Sequence, residues 1–129
     1  MKLHVREPGT DETRARLEGA SLVATSRVAY PEARAALARR QREAGITRSA
    51  LARAVSALDR DLERCVVVEQ SAKVARRAGE LAERRALRGF DAIHLASALE
   101  VEQLTGSTPS FCCFDDRLRE AASAEGLPV

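Results

Sequence analysis

Two acidic segments in the second half of the chain carry the residue types best suited to chemistry. Asp91 stands immediately before an apolar helical pattern, and Asp115 directly follows an apolar run that predicts a buried strand. Carboxylates brought together at the ends of strands and helices suit the binding of a hard divalent cation. The joint pattern therefore predicts a metal site built from acids that are distant in the sequence.

Each aspartate also has a purely structural interpretation. Aspartate is a preferred N-cap residue, and acidic side chains are favoured in the first turn of a helix. Either residue taken alone is better explained as a cap than as a metal ligand. The neighbouring polar residues His94, Ser97 and Thr25 could reach the same site, although packing or capping is the simpler role for each.

Composition indicates a soluble globular protein. The chain has 129 residues, 45% of them apolar, and a net charge of +2, so we expect one domain over residues 1–129 without a global basic field. No apolar run is long enough to span a membrane and no signal peptide is evident, so we expect a cytoplasmic location. Cys65, Cys112 and Cys113 lie in or beside apolar runs and are predicted to be small core residues.

Short apolar strands alternate with amphipathic helices along the chain. This alternation predicts an α/β fold, a three-layer sandwich with a mainly parallel sheet covered on both faces. The predicted strands are 22–24, 65–68, 110–114 and 127–129. The predicted helices run from Thr10 or Asp11 to Leu17, from Ser26 to about Glu43, from a Thr47 cap through Leu62, from a Ser71 cap through Ala82, from Asp91 to about Gln103, and from Arg117 to Ala124.

The order of these segments resembles the PIN domain, in particular the VapC-type toxins of bacterial toxin–antitoxin pairs. Residues 5–9, which include a turn at Pro8-Gly9, are similar to the segment after that family's first strand. Residues 26–37, 87–96 and 114–118 are similar to its second, third and fourth acidic motifs. The resemblance covers nearly the whole chain.

The resemblance implies a metal-dependent ribonuclease that uses Mg²⁺ or Mn²⁺. It implies that Glu32, Asp91 and Asp115 are the site acids, which hold the cation against the scissile phosphate. Asp116 competes with Asp115 for the last position and is a possible auxiliary ligand. Glu32 has apolar neighbours along its helix, so we expect its side chain to face inward and to require a partner.

The resemblance also implies partners and one departure from the family pattern. The implied partners are an RNA substrate, a cognate antitoxin and a second copy of the chain, with residues 26–62 offering apolar surface to either protein. The family's chain opens with a central strand that ends in an aspartate, whereas residues 1–9 are similar to the segment beyond that strand. We therefore expect an N-terminally truncated PIN-like domain that lacks this strand and its acid, with impaired activity.

Two other functions remain open from the sequence. The first is a non-catalytic PIN-like module that binds an antitoxin or dimerises after losing turnover. The second is a small nucleotide-binding or regulatory domain, which is weakly supported because neither GxxxxGK[ST] nor GxGxxG occurs in the chain.

Overall fold

The structure is a computed structural model that describes residues 10–43 and 45–129. The turn predicted at Pro8-Gly9 and the motif at 5–9 lie outside the described residues. The described part contains six helices and two short strands, with helices before, between and after the strands, which confirms the predicted α/β class. The elements are α1 Thr10–Glu18, β1 Ala24–Ser26, α2 Ala29–Arg42, α3 Arg48–Glu63, β2 Val66–Val68, α4 Ala72–Arg85, α5 Gly89–Thr105 and α6 Asp116–Ala124.

The two described strands form a parallel pair. The amide of Val66 donates to the carbonyl of Val23 at 2.9 Å, and the amide of Arg27 donates to the carbonyl of Val68 at 3.0 Å. Residue numbers increase in the same direction along both strands, as in a parallel ladder. The β-branched residues of β2 suit a strand, and the last of them, Val68, is buried.

The strands predicted at 110–114 and 127–129 are wrong, because the structure has no strand in either segment. The amide of Phe111 donates to the carbonyl of Pro128 at 2.7 Å, so the two segments do touch. Proline has no N–H to return a second bond, and a ladder does not propagate through it. Leu127 is buried all the same, which explains its apolar character.

Two helix starts differ by two or more residues from their predicted positions. Ser26 belongs to β1 and its Oγ accepts from the amide of Val28 at 3.3 Å, so α2 begins at Ala29. Pro31 is the third residue of α2, where a missing amide donor costs little because first-turn N–H groups have no helical partner. At the end of α4, Ala86 takes the left-handed conformation (φ 53°), and α5 then begins at Gly89, two residues before the predicted start.

The two predicted hydroxyl caps are confirmed. The Oγ1 of Thr47 accepts from the amide of Ala50 at 3.1 Å and begins α3. The Oγ of Ser71 accepts from the amide of Val74 at 3.1 Å and begins α4. Each bond satisfies an amide that the helix itself leaves without a partner.

The chain forms two compact units, and the first contains α1, α2 and α3. Helices α2 and α3 pack together, and each buries one alanine and one leucine: Ala33 and Leu37 in α2, Ala54 and Leu58 in α3. The hydroxyl of Tyr30 donates to Asp59 Oδ1 at 2.7 Å, and Arg34 Nη1 donates to the same hydroxyl at 2.9 Å. These bonds add polar ties to a small apolar interface.

The second unit contains β1, residues 67–68 of β2, and α4, α5 and α6. Helix α5 is its central element, because it packs extensively on α4 and also contacts β1 and α6. Leu81 and Leu95 are fully buried in its core. The other buried members are Val68, Val74, Ala78, Leu87, Ala92, Ala96, Leu99, Val101, Leu118, Ala121, Ala122 and Leu127.

The cysteines are free thiols with different exposures. Cys65 and Cys113 are half-buried, and burial raises the pKa of both thiols. Cys112 is exposed, so its predicted core position is wrong. Among the described residues, no helix combines the length and apolar character needed to cross a membrane.

Glu125 ties the end of α4 to the end of α6 within the second unit. Its Oε1 accepts from Arg85 Nε at 2.9 Å and from Arg84 Nη2 at 3.0 Å. Burial alone would raise the pKa of Glu125, but the hydrogen bonds from the two arginines outweigh it and leave the pKa below its ordinary value. The charged form of this carboxyl is therefore favoured by folding.

We expect Glu125→Gln to lower the free energy of unfolding by about 1–2 kcal/mol at pH 7, because the amide oxygen can still accept both bonds but lacks the charge that strengthens them. A carboxyl with a lowered pKa stabilises the fold above its ordinary pKa, and this contribution disappears as the pH falls through the folded value. Urea unfolding should therefore separate wild type from variant at pH 7. The difference should shrink once the pH falls below the ordinary pKa of glutamate, and it should vanish when the pH has passed below the folded value. Glu83→Gln, an exposed acid of α4, is the matched control. A gap that persists unchanged at low pH would contradict the electrostatic explanation.

Candidate active site

Asp91 lies in the first turn of α5, as its third residue. The N-cap position belongs to Arg88, whose side chain makes no capping bond, so the interpretation of Asp91 as a cap is wrong. Asp91 Oδ2 instead accepts from Arg88 Nε at 3.3 Å, and the Asp91 side chain is 26% exposed. The carboxylate is thus held at the N-terminal end of the most buried helix, where the helix dipole favours negative charge.

The body of α5 keeps Asp91 in a fixed position. Ala92, Leu95 and Ala96, which follow Asp91 in the helix, are fully buried in the core of the second unit. Ser97 is buried and its hydroxyl donates to the carbonyl of Ile93 at 2.8 Å, in agreement with the packing role considered for it. A side chain at the end of so well-packed a helix loses little freedom when it binds a ligand.

Asp115 is the N-cap of α6. Its Oδ1 accepts from the amide of Leu118 at 2.9 Å, which confirms the capping interpretation for this residue. The cap uses one oxygen of an exposed carboxylate, and a carboxylate has two oxygens and about four lone-pair sites. Capping and ligand binding are therefore compatible at this position.

Asp116 is the first residue of α6 and makes no capping bond among those found at the start of this helix. It lines an open pocket of about 340 Å³ together with Arg119, Glu120, Ser123 and Val129. The pocket includes both signs of charge, which weakens its resemblance to a cation site. Asp116 stays a prediction as an auxiliary ligand.

Glu32 lies in the first turn of α2, in the first unit. Its side chain is exposed, so the predicted inward orientation is wrong. The buried face of α2 is formed by Ala33 and Leu37, and Glu32 is rotated by about 100° from Ala33 around the helix. An exposed first-turn acid is electrostatically favourable without any metal.

The donor chemistry of these acids suits a hard cation, because carboxylate oxygens are the ligands that Mg²⁺ and Mn²⁺ prefer. In the part of the chain that the structure describes, however, no three His, Cys, Asp or Glu side chains lie together so that they could hold a metal ion. Asp91 and Asp115 both belong to the second unit and Glu32 to the first. The joint role of these acids therefore stays a prediction.

Arg88 is a functional candidate that sequence reasoning missed. It is 84% exposed and contacts Asp91 from three positions earlier in the chain. The i, i+3 spacing of opposite charges at a helix start is the signal that would have indicated this pair. Its guanidinium can also bind phosphate oxygens in a bidentate way.

The chain belongs to the PIN domain family, whose model matches residues 1–123. It is 41% identical over 135 aligned positions to Ribonuclease VapC45 of Mycobacterium tuberculosis (strain CDC 1551 / Oshkosh), an alignment that covers all of this chain and 88% of the relative. The same values hold for Ribonuclease VapC49 of Mycobacterium tuberculosis (strain ATCC 25618 / H37Rv). These findings confirm the resemblance on which the predicted site residues depend.

Proposed function

We propose that this chain is a divalent-metal-dependent endoribonuclease toxin of a toxin–antitoxin pair, which hydrolyses RNA phosphodiesters. The observation that carries the proposal is the family match over residues 1–123, together with 41% identity to two proteins named as VapC ribonucleases. We assign the site carboxylates to Glu32, Asp91 and Asp115, with Asp116 as an auxiliary acid. We expect the activity in the cytoplasm, where its RNA substrate is found.

Residues of the second unit hold in place the charged groups that hydrolysis of an RNA phosphodiester would use. Asp91 is fixed by the packing of α5, and Asp115 is fixed by its own capping bond. Arg88 offers an exposed positive fork beside Asp91 for the RNA phosphate. A bound Mg²⁺ or Mn²⁺ would neutralise charge at the phosphate and lower the pKa of a water, and a carboxylate can accept that water's proton.

Metal removal tests the proposal directly. We expect cleavage of a single-stranded RNA in Mg²⁺ or Mn²⁺, and loss of cleavage in EDTA that is reversed when excess Mn²⁺ is added. Gel analysis of end-labelled RNA measures the rate, and circular dichroism in EDTA establishes that the fold survives. RNA cleavage that continues at the same rate in EDTA would overturn the metal requirement. A folded protein that cleaves RNA in no metal would overturn the proposed enzymatic activity.

A cognate antitoxin and a second copy of the chain are the proposed protein partners. The support is the α2–α3 pair of the first unit, in which Leu51, Val55 and Leu62 of α3 are only half-buried. These three side chains recur at helical spacing along α3, and an apolar patch that is contiguous and large enough marks a surface that another protein covers. Light scattering of the purified chain measures the oligomeric state, and the antitoxin should suppress cleavage at equimolar concentration.

One observation favours a second candidate, a non-catalytic PIN-like module that binds an antitoxin or dimerises. It is that the acids of the described residues form no group of three around a potential metal position. Calorimetric titration with Mn²⁺ separates the two functions. Binding of Mn²⁺ that depends on Asp91 supports the enzyme, whereas tight antitoxin binding without Mn²⁺ binding supports the module.

A further inference from the structure

The aromatic residues of this chain are few and unevenly buried. The sequence has three phenylalanines, one tyrosine and no tryptophan. Phe111 is half-buried against the core of the second unit, whereas Phe90 is 56% exposed and Phe114 is 41% exposed. Each exposed phenylalanine immediately precedes a proposed site acid, Asp91 in one case and Asp115 in the other.

A phenylalanine that stays partly exposed forgoes part of the stabilisation of about 1.5–3 kcal/mol that full burial of such a side chain contributes. Single exposed apolar residues are common on protein surfaces, and one of them alone would carry no meaning. Here the same arrangement occurs twice in one unit, at the starts of α5 and α6. Each phenylalanine is therefore a direct chain neighbour of a carboxylate at which an RNA phosphate is proposed to react, with the two Cα atoms about 3.8 Å apart.

We propose that Phe90 and Phe114 stack on bases of single-stranded RNA next to the scissile phosphate, and so bind and position the substrate. This inference rests on the proposed ribonuclease function and adds the binding mode of its substrate. Sequence-tolerant RNA binding commonly uses aromatic side chains because every base has a π-face. The bases on either side of a phosphate are its nearest neighbours along the strand, so rings adjacent to the site acids are suitably located.

The chain around the two rings favours RNA over a protein partner. Phe90 is flanked by Arg88, Gly89 and Asp91, and Phe114 is followed by Asp115 and Asp116. The core of a protein–protein interface is depleted of charged residues and forms a continuous apolar area. At Phe90 the neighbouring Arg88 attracts a phosphate, and at both rings the neighbouring acid is one that would hold a cation against that phosphate. These charges suit an RNA strand better than an apolar protein surface.

Tryptophan fluorescence gives a direct readout of stacking. Because the chain has no tryptophan, Phe90→Trp and Phe114→Trp each introduce the single indole of the protein. We expect a short mixed-sequence single-stranded RNA, added with Mn²⁺ to each variant in an Asp91→Asn background that slows cleavage, to quench and shift the emission of the indole. An abasic strand with the same number of phosphates should leave both emissions unchanged. Equal quenching by the abasic strand would overturn the proposal.

Binding measurements on alanine variants give the contribution of each ring to RNA affinity. We expect Phe90→Ala and Phe114→Ala each to weaken binding of the same RNA by about 5- to 150-fold in fluorescence anisotropy. The dependence of affinity on salt should not change, since no phosphate contact is removed. Leu104→Ala is the matched control, because Leu104 is 73% exposed at the opposite end of α5. Phe90→Tyr should bind like wild type, and Phe90→Leu should bind like Phe90→Ala.

The contrary outcomes are distinguishable. If Phe90→Leu restores full binding, or if the alanine variants change the oligomeric state and leave RNA affinity intact, the rings contact protein and the inference is wrong. If wild type cleaves RNA while both alanine variants bind and cleave normally, the inference fails and the proposed function stands. If base-dependent quenching occurs without cleavage in any metal, the proposed function fails and the binding mode stands. No RNA binding by wild type would overturn both.

Discussion

Replacing Asp91 by asparagine is expected to reduce RNA cleavage by about 10²–10⁴-fold, the range for loss of a group that takes part in proton transfer or metal-assisted hydrolysis. The substitution keeps the size of the side chain and removes its charge. The 3.3 Å bond that Asp91 accepts comes from Arg88, which is 84% exposed, so weakening this ion pair affects stability little. Initial rates of cleavage in Mn²⁺, measured beside thermal unfolding, check both parts of this expectation.

Glu102→Gln is the matched control for Asp91→Asn, because it makes the same chemical change on the same helix near its other end. We expect this variant to cleave RNA at the wild-type rate. Undiminished cleavage by Asp91→Asn would remove Asp91 from the site. Equal losses in both variants would indicate a general effect of charge on RNA binding or on the fold.

The helices of this fold arise from local chemistry, and the sequence predicts them well. Thr47 and Ser71 are predictable caps because hydroxyl oxygens accept the amides that a helix start leaves unpaired, and both bonds are present. Leu58, Leu81 and Leu95 are buried on helix faces that the apolar periodicity indicates. A helix makes its own backbone bonds, so its sequence carries most of the information needed to place it.

The remaining features depend on residues that are distant in the chain, so local sequence patterns do not predict them. The apolar run at 110–114 has the composition of a strand, but its contact is to Pro128, which cannot donate in return. Glu32 has apolar neighbours in the sequence, yet the buried face of α2 is centred on Ala33 and Leu37. Asp91 is not a cap because α5 begins at Gly89 with Arg88 as its N-cap. Helix α4 ends shortly before at the left-handed Ala86, and an alanine gives no strong signal of such a turn.

In the candidate site, the local sequence predicts the capping role of Asp115 correctly and that of Asp91 incorrectly. The capping role of Asp115 is predictable because an aspartate stands directly before the helical pattern of α6, and the bond to Leu118 is present. The role of either acid in catalysis is indicated by family resemblance, since capping and metal binding favour the same residue type at the same position. Only substitutions that separate the two roles can distinguish them.

Asp115 offers that separation. We expect Asp115→Asn to keep the cap, because an asparagine side-chain oxygen accepts the Leu118 amide as well as an aspartate oxygen does. The free energy of unfolding should therefore fall by less than about 1 kcal/mol, mostly from lost interaction with the helix dipole. RNA cleavage should still fall by about 10²-fold or more, because the charge is gone. Asp115→Ala should lose as much activity as Asp115→Asn. Its free energy of unfolding should be lower by about a further 0.5–2 kcal/mol, because the capping bond is also lost.

Asp116→Asn completes this comparison, because it removes a neighbouring charge in the first turn of the same helix and no capping bond. If Asp115 is the site acid, Asp116→Asn retains most of the cleavage rate, and a modest loss identifies an auxiliary role. A severe loss in Asp116→Asn with normal cleavage in Asp115→Asn would reverse the assignment. Urea unfolding and RNA cleavage measured on all three variants report capping and catalysis separately. Stability depends on the side-chain oxygen that bonds the Leu118 amide, and cleavage depends on the charge.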